Sequence, residues 1–210
     1  MWKNATVAVA CLLGSLSAHA VTVFTADLSN GQENPPVTPT LANGAPRPAS
    51  FGNATFSLND AQTALSFQGS VFNIDFTGNQ TQDVNDNLVA AHLHASATSV
   101  PGVNGGVVFG FFGAPFNDNN PNDVSITPFL SGVGGTFSAI WNVGEGNNTT
   151  LAAQLGNLLA GRGYINFHTT QFAGGEVRGQ IVTPIPEPET YALMLAGLAA
   201  LAVARRPKRR

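Results

Sequence analysis

Short runs in which apolar and polar residues alternate one by one recur from Val21 to Val182, each closed by Gly, Asn, Asp or Pro. Successive side chains of a strand point to opposite faces, so this pattern commits the chain to half-buried β-strands joined by turns. Candidate strands are Val21–Leu28, Phe51–Leu58, Leu65–Phe72, Leu88–Ala95, Gly106–Phe112, Gly135–Trp141, Gly163–His168 and Glu176–Val182. Phe51–Leu58 and Leu65–Phe72 pair as a hairpin across Asn59-Asp60-Ala61-Gln62. Only Thr150–Leu159 has helical spacing. Leu151, Leu155, Leu158 and Leu159 make one stripe, Thr149 or Thr150 caps its start and Gly161 ends it. About seven to eight short strands and one short helix predict a mainly β domain, a single β-sandwich or Greek-key barrel.

The two ends of the chain read differently. Lys3 precedes the apolar run Ala5–Gly14, and Ala18 and Ala20 form a small-x-small cleavage site, so residues 1–20 read as a signal peptide. A retained anchor is the alternative, against which stands the shortness of the apolar run. Cys11, the one cysteine, leaves with this segment. The exported chain then offers no disulfide and no thiolate ligand or nucleophile. After Thr183, Pro184-Ile185-Pro186-Glu187-Pro188-Glu189 is a stiff linker (184–189), since its prolines fix φ and remove donors. Residues 190–204 carry no charge and as a helix would extend about 22 Å. That is expected to be a C-terminal transmembrane helix, marginal against a roughly 30 Å hydrocarbon core. Arg205, Arg206, Lys208, Arg209 and Arg210 form a stop-transfer cluster that stays cytoplasmic, leaving the domain outside.

Between the ends only Arg47, Arg162 and Arg178 are cationic, against ten carboxylates. Such an acidic domain has no electrostatic basis for binding nucleic acid. The histidines that remain after export are His92, His94 and His168. On a strand, His92 and His94 share one face. Tyr164, Asn166 and His168 share the polar face of theirs, and Glu176, Arg178 and Gln180 that of a third. If the three strands are neighbours, the histidines meet Glu176 and Arg178. A His-x-His pair plus a third histidine suits Zn²⁺ or Cu²⁺, with Glu176 as fourth ligand or outer partner. The alternatives are histidines that hydrogen-bond to loops and fix a corner of the fold, or a catalytic set. The oxygen-rich loops Asp83–Asn87 and Asn117–Asp123 read as turns, with Ca²⁺ binding as the alternative. No Gly-x-Ser-x-Gly, Walker loop or cysteine nucleophile is present, and a non-enzymatic protein is expected.

Two resemblances follow. Pro186-Glu187-Pro188, the apolar segment and the terminal Arg/Lys cluster resemble the PEP-CTERM sorting signal of Gram-negative bacteria that make exopolysaccharide. That resemblance implies processing by an exosortase-type enzyme, transient tethering to the inner membrane, and delivery to the cell surface or an extracellular polysaccharide matrix. Within residues 21–183, four stretches in order resemble the CHRD (chordin-type) domain: Gly31–Val37, Ala91–His94 with Gly102–Val108, Leu159–Thr169, and Gly174–Ile181. Ala95-Ser96 stands where that family usually has Gly-Pro. The family implies an extracellular binding or structural module and no reaction.

Overall fold

A computed structural model of the chain describes residues 22–183, 194–199 and 201. The cleavage-site residues Ala18 and Ala20, the linker with Pro186, Glu187 and Pro188, and the basic end from Arg205 to Arg210 lie outside the described residues. Residues 194–199 and 201 are helical and exposed. Among the described residues no helix is long and apolar enough to cross a membrane. The transmembrane helix expected over 190–204 is therefore not among the observed elements.

Nine antiparallel strands form the domain: β1 (Thr22–Ser29), β2 (Phe51–Leu58), β3 (Ala64–Phe72), β4 (Leu88–Ala95), β5 (Val107–Phe112), β6 (Ser125–Pro128), β7 (Gly134–Asn142), β8 (Gly163–Thr169) and β9 (Val177–Ile181). One helix, α1 (Leu151–Leu159), has Thr150 as its N-cap, the Thr150 hydroxyl accepting from the Ala153 amide at 3.3 Å. The strands make one continuous sheet in the order β5-β4-β8-β9-β1-β2-β3-β7-β6. The domain is mainly β, as expected; in place of a two-sheet sandwich or Greek-key barrel, one sheet curls around the core and its edge strands, β5 and β6, do not pair. The ninth strand, β6, is short, ends in Pro128 and buries no side chain fully, so alternation alone did not single it out.

The curl follows from the apolar face. β1, β2, β3 and β7 turn Phe24, Phe56, Phe67, Phe137 and Trp141 inward, while Thr55, Ser66 and Gln68 face water, the half-solvated pattern of antiparallel sheet. The other end of the sheet turns Phe109, Phe111, Ile165 and Phe167 toward the same interior. Phe109 stacks on Trp141 with ring centroids 5.4 Å apart, Phe67 meets Phe111 edge-on at 5.0 Å, and Phe137 meets Phe167 at 4.9 Å. Each such contact adds about 0.5–1.5 kcal/mol beyond simple burial. Among the described residues, every core side chain lies between Phe24 and Ile181, so one contiguous stretch of chain builds this core.

The sheet has a seam between β9 and β1. There the ladder is reduced to Ser29 opposite Arg178, beside a bridge from Thr25 to Val182. At this end β8 and β9 are buried throughout. Loops 30–50, 96–106, 113–117 and 170–176 cover their second face, so the face read as polar from the sequence is a second interior.

Candidate metal centre

β4, β8 and β9 are neighbours, as the shared-face reading requires. His92 stands opposite Asn166, His94 opposite Tyr164, and Ala90 opposite His168, while Asn166 stands opposite Arg178 on β9. His92, His94 and His168 converge there, each offering one ring nitrogen, and these three atoms lie within 4.8 Å of one another. His92 Nδ1 and His168 Nε2 are 3.1 Å apart. The rings are 4, 7 and 6% exposed, in chain order.

Each ring is held from behind by a backbone carbonyl. His92 Nε2 is 3.1 Å from Ala114 O, His94 Nδ1 is 3.0 Å from Gly105 O, and His168 Nδ1 is 3.0 Å from Ala173 O. A carbonyl only accepts, so each of these nitrogens carries the proton and donates it. The opposite nitrogen of each neutral ring is then a lone pair. His92 Nδ1, His94 Nε2 and His168 Nε2 are those three atoms. Buried His94 Nε2 has no hydrogen-bond partner. Two imidazole lone pairs 3.1 Å apart cannot share a proton while both rings stay neutral. Burial, reinforced by the neighbouring histidine, holds His92 neutral by lowering its pKa to about 4. Burial likewise lowers His94 to about 3 and pulls His168 down. Nitrogens bound to one ion at 2.0–2.1 Å lie about 3.3–3.6 Å apart. The His92–His168 pair is near that spacing and all three nitrogens lie within 4.8 Å of one another, and a carbonyl behind each ligand is the usual outer support of a metal-binding histidine.

Local sequence builds these supports. Gly110 lies opposite His92 on β5. A Cβ there would strike the Pro115 carbonyl and the His92 ring, so only glycine lets the 113–117 loop close over His92. Tyr164 stacks on His94 at 4.5 Å with rings 6° from parallel, and the Arg178 guanidinium lies 3.6 Å above the other side of Tyr164. Arg178 is fixed by Asn104 Oδ1 at 3.1 Å and Val103 O at 3.0 Å. It also borders a cleft of about 280 Å³ lined by Gln32, Glu33, Pro36 and Gln180. Burial raises the Glu33 carboxyl to about 7, against the opposing pull of Arg178.

Glu176, expected as a ligand or outer partner, is not part of the group. It sits at the bend before β9, fully buried. Its carboxylate accepts from Arg47 Nη1 at 2.8 Å and Nη2 at 2.6 Å, from Thr169 Oγ1 at 2.6 Å, and from Ser50 Oγ. This ion pair ties the Pro-rich loop to the sheet. Sequence reasoning missed Arg47, whose one signal is that it is the only cation in that loop. The acidic loops cap backbone. Asp83 accepts from Ala42 and Asn85 amides, and Glu145 accepts from Asn119, Asn120 and Asn142 amides.

The sequence profile of the CHRD domain matches residues 24–181, and that of the PEP-CTERM protein-sorting motif matches residues 184–210. No curated protein and no solved structure matches the chain.

Proposed function

The chain belongs to the CHRD domain family, and from that premise we propose that it is an exported, non-enzymatic module with a binding or structural role at the cell surface or in an exopolysaccharide matrix. The observation that carries this reading is the sorting motif at 184–210, which begins directly behind the last strand of the domain. An exosortase-type enzyme would recognise Pro186, Glu187 and Pro188, with Arg205, Arg206, Lys208, Arg209 and Arg210 holding the tail at the inner membrane during transit. Residues 1–20, cut after Ala18-His19-Ala20, would deliver the chain to that membrane. Cell fractionation tests this. A tail-trimmed form is expected outside the inner membrane, and finding only full-length protein there would overturn the sorting reading.

The convergent lone pairs of His92, His94 and His168 favour a more specific binding role: the domain holds one zinc or copper ion. Three histidines with carbonyl-anchored tautomers are a poor hydrogen-bonding set for one another and a good donor set for a cation. Metal analysis of residues 21–183 against a His92→Ala/His94→Ala variant tests it. One equivalent of zinc or copper in the parent and none in the variant is expected. A parent that takes up neither metal and shows no thermal shift with either would sink this reading.

A further inference from the structure

We infer that the ion these histidines are built for is univalent copper, held by three imidazoles. The inference rests on the metal-binding reading above and adds the identity and charge of the ion.

Three features point the same way. First, the donor set is neutral. His92, His94 and His168 are the members of the group; Glu176, the carboxylate expected to join them, is held by Arg47, Ser50 and Thr169, and Glu33 lies outside the group beside Asn166 and Arg178. A divalent ion would carry its full double charge into a site whose rings are at most 7% exposed. The cost of burying charge rises steeply with that charge, so a univalent ion is favoured where no carboxylate or thiolate offsets it. Second, a cation already stands nearby. Arg178 lies 3.6 Å from the Tyr164 ring, and Tyr164 stacks on the ligand His94. Its field opposes a second positive charge, twice as strongly for a divalent ion as for a univalent one. Third, coordination number distinguishes the candidates. Zn²⁺ in a protein is almost always four-coordinate, and Cu²⁺ prefers square-planar or tetragonal nitrogen and oxygen sets. This group supplies three nitrogens, each backed by its own carbonyl. Cu⁺ is satisfied by three, whereas Zn²⁺ on three histidines takes up a further ligand such as water.

The test titrates residues 21–183 anaerobically with Cu⁺ buffered by a competing Cu⁺ chelator, and in parallel with Cu²⁺ and Zn²⁺ under matched buffering. One equivalent of Cu⁺ is expected, bound at least 100-fold more tightly than Cu²⁺ or Zn²⁺. The X-ray absorption edge of the loaded parent is expected to show three-coordinate Cu⁺ with nitrogen ligands, and the sample to be silent in electron paramagnetic resonance. His94→Ala is expected to weaken Cu⁺ binding at least 100-fold while keeping the β-sheet circular dichroism of the parent. If Zn²⁺ or Cu²⁺ binds as tightly as Cu⁺, or the edge shows a four-coordinate ion, the inference fails and the metal-binding reading stands. If none of the three ions binds the parent, both fail. Because the edge is read on the parent, a misfolded variant leaves the outcome decidable.

Discussion

Glu176→Gln separates the two roles open to this residue, metal ligand and partner of a buried cation. The change keeps the shape of the side chain and removes its charge. Arg47 is then left as an uncompensated cation, with the two side chains of the pair 3% and 0% exposed. The carboxylate now accepts four hydrogen bonds, two from Arg47, one from Ser50 and one from Thr169. An amide has one oxygen to accept them and presents an NH₂ toward donors. Removing one partner of a buried pair costs about 3–5 kcal/mol. For a domain of this size each kcal/mol lowers Tm by roughly 2–4 °C, so Tm is expected to fall by about 10 °C. Urea and thermal unfolding of residues 21–183, followed by circular dichroism, read this directly. Metal affinity is expected to stay within twofold of the parent, because Glu176 lies outside the three-histidine group. A stability loss under about 1 kcal/mol would refute the ion-pair argument, and a large loss of metal affinity in a folded variant would restore Glu176 as a ligand.

The metal-free domain should lose stability in acid. The three histidines have folded-state pKa values below the ordinary 6.5, down to about 4 for His92 and about 3 for His94. The unfolded chain therefore takes up protons first, and stability present above pH 6.5 declines as pH falls toward 4, by up to about 1.4 kcal/mol per pH unit for each histidine. Denaturant midpoints across pH 4–8 check the slope, and bound metal is expected to keep the midpoint higher at each pH. Gly110→Val should weaken metal binding and lower Tm together, because its side chain pushes the Pro115 carbonyl and the His92 ring apart; titration calorimetry and melting read both. Trp141→Ala should cost about 3–5 kcal/mol, since the indole is fully buried, stacks on Phe109 and donates to Glu145 O at 2.8 Å. Thr150→Ala should cost about 1 kcal/mol through loss of the α1 cap, measured by urea unfolding.

The strands were legible because alternation is local. Phe51–Leu58 and Leu88–Ala95 have the boundaries read from the sequence, and their hairpin and histidine faces follow from side-chain parity. Helix α1 was legible for the same reason, its cap and stripe lying within one short segment. Parity also put His92, His94, Asn166 and Arg178 on one face, and needed only the β4-β8-β9 order to bring them together. Three things were not legible. The continuous path of the sheet around the core depends on which strands meet, which periodicity does not encode. The covering of the polar face by loops depends on segments with no period at all. Glu176 was assigned by parity alone, yet its partner Arg47 lies 129 residues away. The bend before β9 and the Pro-rich loop decide where that carboxylate goes.

The seam between β9 and β1 sets an order of assembly. Thr25 and Val182 exchange backbone hydrogen bonds of 2.8 and 2.9 Å, so the first strand of the domain closes on its last. A chain threaded outward from its amino end presents β1 long before its partner arrives. β1 must wait, paired on one side only with β2, until β9 has emerged just ahead of the sorting tail. The histidines follow the same schedule: His92 and His94 come out with β4, and His168 only with β8. On the proposed export route, maturation is thus a last-arrival event. The segment that completes the sheet is the one that joins the domain to its sorting motif. A cut that removes the sorting motif without opening the fold has to fall beyond Val182.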